Sequence, residues 1–261
     1  RSTLFPYTTL FRSTNFDERK SEMRKKIETI ILEGAEAQGI ALYEGKAEIL
    51  ANYLLELLKI NEKINLTAVR DPEEAAVKHI VDSLIVEKAF GIEDRRILDL
   101  GTGGGFPGVP LAVACGGREV VLLDSKKKKL NVIEAIVDNL GIDNVSFLPQ
   151  RAEEASKEER LRESSDVCVA RAVAELRVLL EIAVPLVKLK GKIIAMKDAE
   201  SVAEEMRLSK TAIQTMGVEL TEQHEYTLDG IHKRALLVFV KKKETPTKYP
   251  RRMPAILKRP L

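Results

Sequence analysis

Arg96-Ile-Leu-Asp-Leu-Gly-Thr-Gly-Gly-Gly-Phe-Pro-Gly-Val-Pro110 is the stretch whose reading decides the fold. Ile97 to Leu100 is short, apolar and partly branched, the make-up of a buried strand. Glycines follow at 101, 103, 104 and 105. Only glycine enters left-handed backbone at low cost and lets a ligand approach the main chain closely. Pro107 and Pro110 suit the first turn of a helix. The stretch therefore predicts strand, glycine turn and helix N-terminus, a junction that offers free N–H groups and a positive dipole end to a ligand.

Gly103 to Gly108 satisfies the dinucleotide fingerprint G-x-G-x-x-G, a weak match in so glycine-dense a stretch. Three details favour S-adenosylmethionine over a nicotinamide dinucleotide. Asp99 precedes the first glycine, where a carboxylate suits the cationic methionine end, directly or through water, and would repel a pyrophosphate. Phe106 takes the third-glycine position when counting starts at Gly101, which in that register bars close helix–strand packing. Asp124 ends the next apolar run, Val120 to Leu123, where an acid accepts both ribose hydroxyls. That device supports a ribose without choosing the cofactor. The plain alternative is a glycine-rich turn followed by an Asp that caps a helix.

Outward from this stretch the pattern alternates, which indicates a parallel sheet with crossover helices. Strands are expected near 96–100, 119–124, 144–148, 166–170, 191–197, 218–226 and 234–241, and helices near 107–115, 126–140, 173–189 and 200–216. The connection Thr227 to His232 is too short for a crossover helix, so the last two strands form a hairpin. The expected fold is α/β, a seven-stranded mostly parallel sheet with one antiparallel strand, plus an N-terminal helical appendage.

Upstream, Glu22 to Gln38 reads as helix, and Glu44 to Asn61 as an amphipathic helix with Tyr53, Leu54, Leu57 and Leu58 on its stripe. Asp71-Pro-Glu-Glu74 opens a third helix running to about Phe90. On it His79, Asp82 and Ser83 share a face, either as a structural trio with Asp82 holding His79 or as a polar face toward cofactor or nucleic acid. Residues 1–13 have no helical period and read as translated adapter sequence, with native protein expected to begin near Met23. The expected organisation is a leader at 1–21, a helical appendage at 22–92, a cofactor-binding domain at 93–241 and a basic tail at 242–261.

Composition narrows the function. The 261 residues are 44% hydrophobic, enough for a sizeable core. Cys115 and Cys168 are the only cysteines and lie in apolar segments, which argues against a disulfide framework and for a reducing, cytoplasmic setting. With three histidines and no ligand spacing, no metal site is expected. No membrane association is expected either. Net charge is only +2, yet Lys241 to Leu261 holds eight Lys/Arg against one acid, a tail suited to a polyanion.

Four loops should meet at the carboxyl edge of the sheet, where open α/β folds bind ligands. They are Gly101–Gly108; Asp124 with Lys126–Lys129, a solvated face or a phosphate-contacting ridge; Gln150–Glu153, which frames adenine; and the loop beginning at Arg171. The last lacks the Asn/Asp-Pro-Pro-aromatic motif of amino-group methylation. Cys168 sits inside a strand, away from the loop position that a thiol nucleophile needs. What remains is attack by an atom that is already nucleophilic, such as the ring nitrogen N7 of guanine. No general base is then required, and no proton-transferring catalytic residue is nominated; alignment supplies roughly 7–11 kcal/mol.

Asn65-Leu-Thr-Ala68, Lys78-His-Ile-Val-Asp-Ser-Leu84, the Ile97–Gly108 stretch, Leu123-Asp-Ser125, Arg151-Ala-Glu-Glu154, Ala170-Arg-Ala172 and Tyr249-Pro-Arg251 occur in this order. Together they resemble the RsmG (GidB) family from about residue 22 to the C-terminus. The resemblance implies a Rossmann-like class I methyltransferase fold, with S-adenosylmethionine as cofactor. It implies methylation of N7 of guanine 527, in the 530 loop of bacterial 16S rRNA, on free rRNA, the 30S subunit or an assembly intermediate. Gly101, Phe106, Ala152, Glu153 and Arg171 match that family's cofactor contacts, and Asp124 joins them from the ribose argument. The protein is expected to act as a monomer. Asp198 departs from the family pattern by replacing a glycine, the lysine run is more basic than usual, and Met253-Pro-Ala255 lacks the tail's usual glycine. The runner-up is a small-molecule methyltransferase, followed by a non-catalytic RNA-binding protein on the same fold, with a dehydrogenase last.

Overall fold

A computed structural model describes residues 7–261, with side chains from residue 18 onward. Seven strands form one sheet: β1 Arg96–Leu100, β2 Glu119–Leu123, β3 Val145–Leu148, β4 Ser165–Arg171, β5 Val187–Asp198, β6 Val218–Leu228 and β7 His232–Lys241. Their order is β3-β2-β1-β4-β5-β7-β6. β1 pairs in parallel with β2 and β4, and β7 runs antiparallel between β5 and β6. Strand order reverses between β1 and β4, the switch point where a ligand crevice opens beyond the strand carboxyl ends.

Successive side chains of each strand point to opposite faces, and here both faces are buried. Ile97, Val120, Leu122, Val167 and Ile194 join Ile27, Ile31, Leu54 and Leu57 of the N-terminal helices in one cluster. Leu98, Val121, Cys168, Ile193 and Ala195 face the other cluster, against helix Leu176–Ala183. Full burial of each such aliphatic side chain contributes about 1.5–3 kcal/mol, which explains runs of apolar residues without alternation. The N-terminal helices share a core with the sheet.

Several boundaries differ from expectation. The first helix spans Tyr7–Ala37, starting well before Glu22 and taking in part of the expected leader; residues 1–6 of that leader lie outside the described residues. The helix expected to reach 189 ends at Ala183 with a short 3-10 turn, Val184–Leu186. β5 starts four residues earlier than expected, at Val187. The helix expected over 200–216 breaks into Ala199–Leu208 and Lys210–Met216. The Ser209 hydroxyl donates to the Glu205 carbonyl at 2.7 Å, a local bond that competes with the helix ladder.

The basic C-terminal segment is folded rather than free. Lys241 is fully buried and donates to Glu163 at 2.6 Å and to the Val184 and Val187 carbonyls. Glu181, also fully buried, accepts from the backbone N–H and the guanidinium of Arg251. Tyr249 and Ile256 enter the second core cluster, and Met253–Lys258 is a helix. Two of the eight cations assigned to a polyanion are therefore held by internal carboxylates.

Candidate active site

The glycine stretch forms its turn as the sequence demands. Gly101, Gly103 and Gly105 have φ of 73°, 58° and 83°, in left-handed backbone. Gly108 meets a different need: a Cβ there would lie 2.1 Å from Leu122 Cδ2 and 2.7 Å from Asp99 Oδ2. Helix Gly108–Ala114 thus packs closely on β1 and β2 through Gly108, so the close packing that Phe106 bars in the Gly101 register is supplied in the Gly103 register.

Asp99 does not line the cavity above the turn. It is fully buried, and its Oδ2 accepts from Thr102 Oγ1 at 2.6 Å and from the Gly108 N–H at 2.8 Å. Burial pushes its pKa up to about 6, against the lowering influence of those hydrogen bonds. Asp99 braces the loop from beneath. Tyr53 secures the same loop from the helix Glu44–Asn61, donating to the Gly104 carbonyl at 2.8 Å and packing edge-on against Phe106.

A cavity of about 400 Å³ opens over the carboxyl ends of β1 and β2. Gly101, Asp124, Ala152 and Glu153 line it, together with apolar Leu100, Leu123, Val173, Ile182 and Met253. Asp124 Oδ2 accepts from the Gly103 N–H at 3.1 Å and Oδ1 from the Lys126 N–H at 2.8 Å, joining the first and second loops. Each oxygen keeps a lone pair for a further donor. Lys126 lines the cavity, and Lys127 and Lys128 are solvent-exposed.

Phe106 and Arg171 lie apart from that lining. Phe106 is buried beneath His79, their rings stacked at 4.7 Å, with the Arg171 guanidinium 5.6 Å from its centroid. Arg171 ends β4 and lines a neighbouring cavity of about 340 Å³ with His79, Asp82, Asp198 and Arg234. Ala172, with φ of 54°, lines both cavities and separates them. A non-glycine residue in left-handed backbone is held there only by its surroundings, a feature that gathers at active sites.

His79 and Asp82 occupy one helical segment, and residues Ala76–Val81 of it form a π turn, a local widening common at functional sites. Asp82 does not hold His79. It is almost fully buried and accepts from Arg171 at 3.0 Å, from the Tyr226 hydroxyl at 2.7 Å and from Arg234 at 3.5 Å. His79 pairs instead with Thr67 Oγ1 at 2.6 Å, and its Nδ1 lies 3.4 Å from an Arg171 nitrogen that can only donate. Burial, then the Arg171 charge, lowers the His79 pKa to about 4, so the ring is neutral at pH 7. Thr67 is held by Asn61, which accepts from the Leu66 and Thr67 N–H groups.

Cys168 is fully buried in β4, and burial drives its thiol pKa far up. No group of three or more potential metal-ligating side chains is found among the described residues, and no helix among them is long and apolar enough to cross a membrane.

This sheet, with its glycine turn after β1 and acid after β2, is the Rossmann-like fold of methyltransferases. An O-methyltransferase from Bacillus cereus in complex with SAH aligns with a TM-score of 0.53 at 20% identity, over 73% of this chain and 90% of its own; at that identity the likeness concerns fold alone. The family model described as rRNA small subunit methyltransferase G (GidB) matches residues 46–237. Ribosomal RNA small subunit methyltransferase G of Thermoanaerobacter sp. (strain X514) is 40% identical over 244 residues, 92% of this chain and all of its own. Its namesake from Streptococcus suis (strain 05ZYH33) is 36% identical over 226 residues, 86% of this chain and 95% of its own. The chain belongs to the rRNA small subunit methyltransferase G family.

Proposed function

We propose that the protein transfers a methyl group from S-adenosylmethionine to N7 of a guanine in 16S rRNA, at the 530-loop position that the family resemblance implies. The observation that carries this reading is the cavity of about 400 Å³ in which Gly101, Asp124, Ala152 and Glu153 converge from three loops. Its donor set fits the cofactor. The Asp124 carboxylate suits ribose hydroxyls, Leu123 and Ile182 offer apolar surface to a base, and the turn at Gly101 lets a chain pass close to the backbone. When bound, the cofactor supplies an electrophilic methyl group.

The side chains of the neighbouring cavity favour an acceptor that needs no deprotonation. Asp82 is engaged by two guanidinium groups and a phenol, and both ring nitrogens of His79 have partners. The Cys168 thiol is sealed in the sheet. Guanine N7 attacks with a lone pair it already has, so the work left to Arg171 and Ala172, which line that cavity, is to position the base and exclude water. Arg171 then serves the boundary between cofactor and acceptor, with Phe106 supporting its guanidinium from beneath.

Calorimetry with S-adenosylmethionine, followed by transfer of a labelled methyl group to 30S subunits and to free 16S rRNA, tests the reading. Label at guanine N7 in either substrate supports it. Failure to bind the cofactor at millimolar concentration would leave a non-catalytic RNA-binding role.

A further inference from the structure

Tyr53 lies on the apolar stripe of the helix Glu44–Asn61 and is fully buried. A leucine or phenylalanine would serve the core equally well there, so packing does not explain the hydroxyl. A buried phenol needs a partner. This one finds it outside its own helix, donating at 2.8 Å to the Gly104 carbonyl, 51 residues further along the chain. Burial, then the nearby Asp99 charge, pushes its pKa further above 10, so the group stays a donor.

The glycine turn leaves that carbonyl to Tyr53. Past the turn, N–H groups reach back four residues as in a helix: Phe106 to the Thr102 carbonyl at 3.0 Å and Val109 to the Gly105 carbonyl at 2.8 Å. Pro107 has no N–H. The Gly108 N–H, which would reach Gly104 in the same run, donates to Asp99 Oδ2 instead. Tyr53 supplies the missing donor. The fit is close, since a Cβ at Gly105 would lie 2.1 Å from the Tyr53 oxygen. The hydroxyl occupies the space that a side chain at Gly105 would need.

Contacts run on from this point toward both cavities. One residue before Gly104, the Gly103 N–H donates to Asp124, which lines the first cavity. Two residues after it, Phe106 meets the Tyr53 ring edge-on at 5.9 Å. Phe106 in turn lies against His79 and the Arg171 guanidinium, which line the second cavity. Tyr53 itself lines neither.

We propose that Tyr53 is a positioning residue for methyl transfer: its hydroxyl fixes the Gly103–Phe106 segment and, through it, the placing of the cofactor cavity against the acceptor cavity. This rests on the proposed function and deepens it. Transfer needs the acceptor nitrogen, the methyl carbon and the sulfur nearly in line, and a misplacement of about 1 Å that originates far from the chemistry can cost roughly a hundredfold. The N-terminal helices thus align the two cavities as well as covering the sheet.

The test compares the wild type with Y53F, which keeps the ring and loses only the hydroxyl, and with I31V, which trims the same core cluster from another helix. Methyl transfer to unmethylated 30S subunits is followed at saturating cofactor, with calorimetric cofactor affinity and melting temperature measured alongside. Y53F should lower kcat by roughly tenfold or more while cofactor affinity changes by less than about threefold, the split expected when alignment and not binding is lost. I31V should lower the melting temperature and leave kcat within about twofold of the wild type. Hydrogen exchange adds a readout independent of turnover: the backbone N–H groups of residues 101–108 should exchange faster in Y53F and not in I31V. Wild-type kcat in Y53F, or wild-type exchange over 101–108, would overturn the assignment. An equal loss of kcat in I31V would also overturn it, by reducing Tyr53 to a core residue. A wild type that binds cofactor and transfers no methyl group would instead remove the underlying activity, and the proposal with it.

Discussion

At the scale of single residues, His79 carries the clearest pH signature. Its pKa is lowered from 6.5 to about 4 in the folded protein, so the unfolded chain binds the proton more readily. Stability contributed by the neutral ring is present above pH 6.5 and is lost as pH falls through about 4. Asp99 acts in the opposite sense: its raised pKa, about 6, favours the fold at low pH and costs stability as pH rises from about 4 through 6. His79→Gln should therefore lose less stability than the wild type between pH 7 and pH 4.5, by on the order of 2 kcal/mol, in urea titrations at the two pH values. An equal loss in both proteins would show that the ring does not titrate as described. Asp124→Ala should weaken S-adenosylmethionine binding by roughly 1–3 kcal/mol on calorimetry, through lost hydrogen bonds and a loosened Gly103 N–H; unchanged affinity would remove Asp124 from the site. That Gly101, Asp124, Ala152 and Glu153 meet around one cavity was legible because a glycine turn and strand-end positions fix where backbone and carboxylate must go. Tyr226 and Arg234 were not, because they reach Asp82 from 144 and 152 residues away and carry no local pattern.

At the scale of elements, the decisive contacts are close approaches that a pattern of apolar residues does not reveal. Gly108 lets its helix rest on β1 and β2, where a Cβ would meet Leu122 and Asp99. Gly108→Ala should destabilise the fold by about 1–3 kcal/mol, the usual cost of overpacking, and weaken cofactor binding as the loop shifts. A variant with wild-type melting temperature and affinity would contradict this packing. All seven strands were readable from apolar runs between turn signals, and the hairpin of β6 and β7 from the shortness of its connection. Helix ends were less so. The π turn at Ala76–Val81 has no signature in the apolar spacing, and Ser209 breaks a helix through a bond to its own preceding turn.

At the scale of the whole molecule, the C-terminal segment does two things. Met253 helps wall the cavity over β1 and β2, while Lys241 and Arg251 pin the segment to half-buried Glu163 and fully buried Glu181. Composition alone shows the charge of this segment and not which cations are consumed. Glu181→Gln leaves Arg251 short of its partner charge and should cost about 1–3 kcal/mol in denaturant unfolding, because the guanidinium left behind is partly solvated. Truncation after Lys243 should for the same reason lower both stability and cofactor affinity, and should also flatten the salt dependence of RNA binding by removing exposed Lys248, Arg252, Lys258 and Arg259. A truncated chain with intact cofactor affinity would show that the segment is dispensable to the site. The central claim is methyl transfer to guanine N7, and one measurement meets it most directly. Labelled S-adenosylmethionine is incubated with the protein and unmethylated 30S subunits, and the modified nucleoside is then mapped. The account predicts label on N7 of a single guanine in the 530 loop. Label on another atom or another base, or cofactor bound with none transferred to rRNA, would contradict it.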